Sequence, residues 1–168
     1  MKKIRKAVLA RIKHPFLQGL PVEIKNQLLT FGKKISLPKG KVVFRDSEKA
    51  ERFYLLLKGK VDLIGVEQDV RIDSELAKRV FQTLGAGEVV GWSWIIAPFR
   101  WRFDAVVQQD ADLFAVDGVR LRKVMARDHE LGYEIYKRLV PIMNQRLIAS
   151  RLKLQMFGTK PFSEAEGG

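Results

Sequence analysis

Between Gly87 and Ala105 the chain reads GEVVGWSWIIAPFRWRFDA, and this stretch concentrates the residues best suited to chemistry. Gly87 and Gly91 mark a turn between apolar residues; glycine tolerates positive φ and lets a backbone approach a ligand closely. Guanidinium groups follow at Arg100 and Arg102, and a guanidinium matches a phosphate with a planar fork of N–H donors. All three tryptophans, Trp92, Trp94 and Trp101, fall within the same stretch. The combination reads as an anion pocket with aromatic walls, built from Gly87, Gly91, Trp92, Ser93, Trp94, Arg100, Arg102, Asp104 and Ala105.

Catalysis finds little to work with. Gly91-Trp92-Ser93-Trp94-Ile95 is one residue short of a nucleophile elbow, because Ile95 stands where the last glycine belongs. The two histidines, His14 and His129, are too far apart in sequence to suggest a triad or a histidine metal site. With no cysteine in the chain, disulfides, thiolate metal sites and iron–sulfur clusters are excluded. Gly85, Gly87 and Gly91 do not form G-x-G-x-x-G, and there is no G-x-x-x-x-G-K-[ST] loop. Asp110 and Asp112, two apart in a strand pattern, read as a solvated edge. A non-enzymatic chain with no metal and no cofactor is expected.

The charge is unevenly spread. Of 31 Lys and Arg, 12 lie in residues 1–45 against a single acidic residue there, Glu23, so this quarter carries nearly all of the net +12. Such a face attracts nucleic acid, anionic lipid or an acidic protein, or it serves only solubility. No apolar run approaches the roughly 20 residues of a membrane helix, and the N-terminus lacks the apolar core of a signal peptide. A cytoplasmic protein without a membrane span is expected.

The elements that must position the pocket follow from pattern. Ile4, Val8 and Ile12 repeat every four residues up to Pro15, giving a basic helical extension over 1–12. A second short helix starts at Pro21 and carries Val22, Ile24, Leu28 and Leu29. From Lys34 the grammar is β: Lys34–Leu37, Val42–Phe44, Arg52–Leu57, Val61–Val66, Arg79–Leu84, Asp104–Gln109 and Ala111–Val116. Turns at Pro38-Lys39-Gly40, Lys58-Gly59-Lys60 and Gly85-Ala86-Gly87 separate them. Strands every 8–12 residues suggest a sandwich or jelly roll over 13–118.

Helix returns after Asp117-Gly118. Residues 119–157 hold a short helix, Val119–Arg127, and a long one from residue 128 to 157. In the long helix Tyr136, Val140, Met143, Leu147, Ser150, Leu154 and Phe157 step 4,3,4,3,4,3, a heptad seam. Leu131, Ile135, Leu139 and Ile142 form a second stripe. Two stripes imply two partners, the β-domain and a second subunit. Pro141 should kink or interrupt the helix. Residues 158–168 read as a disordered tail.

This plan resembles the cyclic nucleotide-binding domains of the catabolite activator family. Residues 16–21, FLQGLP, resemble its opening helix motif. Lys39–Phe44 followed by Phe53–Val61 is similar to its paired-strand signature, and residues 84–92, LGAGEVVGW, resemble the glycine-rich lead-in to its phosphate cassette. The resemblance covers about 13–157. It implies a mainly β fold with flanking helices, a double-stranded β-helix (jelly-roll or β-roll) followed by a long C-terminal dimerisation helix, in a stand-alone module. The chain ends about ten residues past that helix, so operator binding through the family's winged helix-turn-helix is not expected.

The resemblance also implies a cyclic nucleotide ligand: a glutamate after the second glycine takes the ribose hydroxyl, and an arginine about ten residues on takes the phosphate. Here Trp92 holds the glutamate's place, and Arg102 or Arg100 the arginine's. Asp104-Ala105 stands where Ser/Thr-Ala is common, bringing a carboxylate that pairing with either arginine would neutralise. The expected function is therefore a homodimeric sensor of a nucleotide or other small anion, signalling through its last helix to a protein partner. Two alternatives stand beside it: a degenerate, ligand-free protein-interaction dimer, and a basic nucleic-acid or membrane-surface binder.

Overall fold

The computed structural model describes residues 12–67 and 77–158, so most of the expected 1–12 extension and of the 158–168 tail lies outside the described residues. The chain divides into two compact units, residues 1–132 and 133–168. The first is a β-roll of six strands: β1 (Gly32–Leu37), β2 (Val42–Phe44), β3 (Arg52–Glu67), β4 (Ala77–Gly85), β5 (Val89–Val90) and β6 (Asp104–Asp117). Every pairing is antiparallel, in the order β1-β6-β3-β4, with β2 also on β6 and β5 on β3.

Helix α1 (Val22–Thr30) follows a 3-10 turn at Pro15–Leu17 and buries Ile24, Leu28 and Leu29. Pro21 is its N-cap, where a fixed φ and a missing N–H cost the helix nothing. Helix α2 (Gly118–Met125) is capped by Asp117, whose carboxylate accepts the Arg120 N–H at 2.8 Å. Among the described residues no helix is long and apolar enough to cross a membrane.

Two pairs of expected strands prove to be single strands. The Lys58-Gly59-Lys60 segment is not a turn: β3 runs straight through it, as β6 runs through Asp110. Gly59 has φ +88°, and the β3–β6 register slips between Leu56 and Lys58, between Lys58 and Lys60, and between Lys60 and Val61. A glycine that signals a turn serves equally as a bulge, and here it bends a long strand around the roll. The Asp110 carboxylate accepts the Lys39 N–H, and Asp112 accepts from Ser36 Oγ and pairs with Lys34, so this is not a plain solvated edge.

The second unit is the last helix, α3 (His129–Gly158), which begins within the first. It is not interrupted at Pro141, where it forgoes only the one N–H that proline lacks. Tyr136, Val140 and Leu147 of the heptad seam are exposed. Leu154 and Phe157 of that seam have side chains outside the described residues.

Candidate functional site

The cassette opens with β5, whose Val89 and Val90 pair with Leu55 and Tyr54 of β3. Glu88 closes the turn before it: its carboxylate accepts the Gly85 N–H at 2.7 Å. Gly91 then adopts φ +81°, and a Cβ there would lie 2.5 Å from Trp101 Cζ3, so close ring contact as well as conformation requires glycine. A 3-10 turn follows at Ser93–Ile95, with Trp92 half-buried as its N-cap. Gly87, with φ +91°, serves the turn itself; a Cβ there would meet the Pro15 ring at 3.4 Å, an ordinary contact.

The three tryptophans differ in their surroundings: Trp94 is packed inside, Trp92 is half-buried and Trp101 borders a cavity. Trp94 is fully buried, with its ring stacked on Phe53 at 4.7 Å and the backbone of Gly118 against it. Its Nε1 makes no hydrogen bond among the described residues. Trp101, also buried, lies flat on Phe44 with centroids 3.7 Å apart and planes 10° apart. Tyr54 and Phe103 extend this cluster around Phe44, and Phe81 meets Phe103 edge-on at 5.3 Å. Phe44 and Phe103 escaped the sequence reading; an apolar residue at a strand end carries no signal that it will face the cassette.

Arg100 and Arg102 are both exposed. Arg100 Nη1 donates to the Ser47 carbonyl at 2.7 Å, tying the loop to residues 45–51. The same loops are laced by Ser47 N–H to the Trp101 carbonyl, Trp101 N–H to the Glu48 carbonyl and Ala50 N–H to the Phe99 carbonyl. Arg122 of α2 clamps the other side: its Nη1 donates to the Trp94 carbonyl, and its guanidinium lies 4.0 Å from the Phe99 ring centroid.

Asp104 is buried but pairs with neither arginine. Its carboxylate accepts from Lys78 Nζ at 2.7 Å and from the Asp46 N–H at 2.8 Å, which together hold its pKa below the usual carboxylate value. The partner is fixed by topology: Ile64 of β3 lies opposite Asp104 and Val66 opposite Lys78, so the lysine reaches across β3. Ala105, next on β6, is fully buried opposite Leu63 and Phe44, and Ser93 is buried in the 3-10 turn. A cavity of about 180 Å³ is lined by Trp101 together with Val43, Phe44, Glu48, Lys49, Glu51, Arg52 and Tyr54. A second, of about 230 Å³, lies away from the cassette among Ser36, Lys58, Asp110 and Asp112.

His14 supports the cassette from behind. Its Nδ1 accepts the Phe16 N–H at 3.1 Å while Nε2 faces the Glu88 carbonyl at 3.2 Å, which suits one neutral tautomer. Burial, partly offset by the bond to Glu88, lowers its pKa below 6.5. A depressed histidine contributes stability that is present above the unfolded pKa and lost as pH falls toward the folded one. Thermal unfolding should therefore show stability declining from about pH 6.5 downward, by at most about 1.4 kcal/mol per pH unit from this residue. His14→Gln should flatten that part of the profile; an unchanged slope would show that His14 does not titrate as a buried neutral group.

A β-roll that carries a glycine-led turn and a short 3-10 helix between β5 and β6 defines a class of regulatory sensor fold. The chain belongs to the cyclic nucleotide-binding domain family, whose model matches residues 34–128. Members of that family are regulatory binding domains rather than enzymes.

Solved structures show the same fold. A protein of Geobacter metallireducens GS-15 assigned as cyclic nucleotide-binding is 22% identical with a TM-score of 0.69, over 87% of this chain and 96% of its own. A cyclic nucleotide-binding domain from Methylobacillus flagellatus KT is 16% identical with a TM-score of 0.74, over 95% of this chain and 85% of its own. The catabolite activator protein of Thermus thermophilus is 22% identical with a TM-score of 0.65, over 85% of this chain and 62% of its own. No curated protein sequence matches the chain.

Proposed function

We propose that this chain is a cytoplasmic regulatory module of the cyclic nucleotide-binding fold whose cassette is closed by its own aromatic side chains, and which works as a protein-interaction homodimer. The observation that carries this reading is the face-to-face stack of Phe44 and Trp101, with Trp101 seated on Gly91 where an open cassette would admit a ligand. Three features support it. Trp92 offers an N–H donor and a flat face in place of a carboxylate acceptor. Asp104 is committed to Lys78 and the Asp46 backbone. The exposed Tyr136, Val140 and Leu147, spaced four and seven apart, occupy heptad positions that a second copy of the same helix would cover.

A second reading keeps the cassette as a sensor of a nucleotide or other small anion. It is favoured by the exposure of Arg100 and Arg102 and by Lys49 and Arg52 on the cavity beside Trp101. Calorimetric titration with cyclic AMP and cyclic GMP, with the mass measured by light scattering, separates the two. The closed module gives no binding heat with about millimolar nucleotide and a dimer mass throughout. Saturable heat that Arg100→Ala/Arg102→Ala abolishes establishes the sensor instead, and a monomer mass removes the homodimer.

A further inference from the structure

Helix α2 carries Arg120, Arg122 and Lys123 and no acidic residue, and Arg127 follows in the turn that ends it. Arg122 faces inward to the cassette, but Arg120, Lys123 and Arg127 are exposed. At 100° per residue Arg120 and Lys123, three apart, lie within roughly 60° of one another on α2, and Arg127 follows in the turn beyond its end. Arg120 also ties α2 to the segment that leads into β1 of the same chain. The Arg120 guanidinium lies 4.9 Å from the Phe31 ring centroid, and the Phe31 carbonyl accepts the Asp117 N–H at 2.9 Å. Two residues on, Lys33 is exposed on β1, where Gly32 turns inward against the Phe114 ring.

None of Lys33, Arg120, Lys123 and Arg127 makes an ion pair among the described residues. The carboxylates at either end of the helix are turned onto backbone: Asp117 accepts from Arg120 N–H and Asp128 from Leu131 N–H. Four exposed cations without an ion pair, on α2, the turn after it and the start of β1, suit an extended polyanion. Anionic membrane is the poorer fit. Surface binders of lipid pair their cations with apolar side chains that enter the bilayer, and the exposed large hydrophobic residues lie elsewhere, none on α2 or β1.

We propose that the α2–β1 face binds the phosphate backbone of a nucleic acid without reading its sequence. Arg120 is held in place over Phe31, and Lys33, Lys123 and Arg127 supply further phosphate contacts. The cassette takes no part, so this surface stands or falls separately from the reading of that site.

The test is fluorescence anisotropy of the full chain with a labelled mixed-sequence DNA duplex and a single-stranded RNA of equal length. Affinity should fall steeply with salt, by about 0.9 log units per phosphate contact for each decade with a duplex. Lys123→Gln/Arg127→Gln should weaken binding to every sequence alike and reduce the duplex slope by about two, with thermal unfolding unchanged. If that variant folds poorly, Lys33→Gln should reduce the slope by about one. The proposal is overturned by no binding to either nucleic acid at about 50 mM salt, by substitutions that leave affinity and slope unchanged, or by tighter binding to phosphatidylserine vesicles.

Discussion

Replacing Trp94 with alanine should lower the unfolding free energy by about 3–5 kcal/mol, among the largest effects expected from any side chain of the cassette. The indole is fully buried between Phe53 and the first turn of α2, where Gly118 leaves room for it. Truncation removes that contact area and the stack, and Arg122, which reaches the Trp94 carbonyl, loses the surface that orders its target. In a protein of this size such a loss lowers the melting temperature by about 6–20 °C. Urea unfolding gives the same quantity independently. A change below about 1 kcal/mol, within the range of ordinary surface substitutions, would remove Trp94 from the core.

Gly59→Ala should come next. Its φ of +88° disfavours any L side chain by about 1–2 kcal/mol. The new methyl would also stand inside contact distance of the Asp110 carbonyl oxygen and 2.7 Å from Ala111 Cα, both backbone atoms of β6. Backbone cannot swing aside as a flexible side chain can, so overpacking adds about 1–3 kcal/mol. Gly40 provides the control: it has φ +83° but nothing within 4 Å, so Gly40→Ala carries the conformational part alone. Equal losses from the two substitutions would show that the Gly59 contact relaxes freely.

The fold was legible because its signals are local. Alternating strands, the Asp117-Gly118 cap and the heptad steps of α3 each depend on neighbours a few residues away, and the glycine-led cassette follows its family's order. Where the reading failed, the missing information was long-range. Gly59 and Asp110 look like turn residues until they are seen across from each other, where they are the bulged crossing of two long strands. Asp104 finds Lys78, 26 positions away, because β3 lies between them; nothing in the local sequence prefers that lysine to the adjacent Arg102. For Trp94 and Trp101, composition does not distinguish a ring that borders a space from one packed wholly among its neighbours. Phe44, against which Trp101 packs, sits 57 residues before its partner in the stack.

That stack also bears on how the domain can change over generations. Restoring a carboxylate at Trp92 by one substitution would leave the room beyond Gly91 occupied by Trp101. Removing Trp101 first would expose the Phe44 face and forfeit about 3–5 kcal/mol. The intermediate without Trp101 is thus less stable than the present chain, close to the margin on which folded proteins survive. Descent favours keeping the rings together, so lineages that acquire this stack should retain it even as the surface around them diverges.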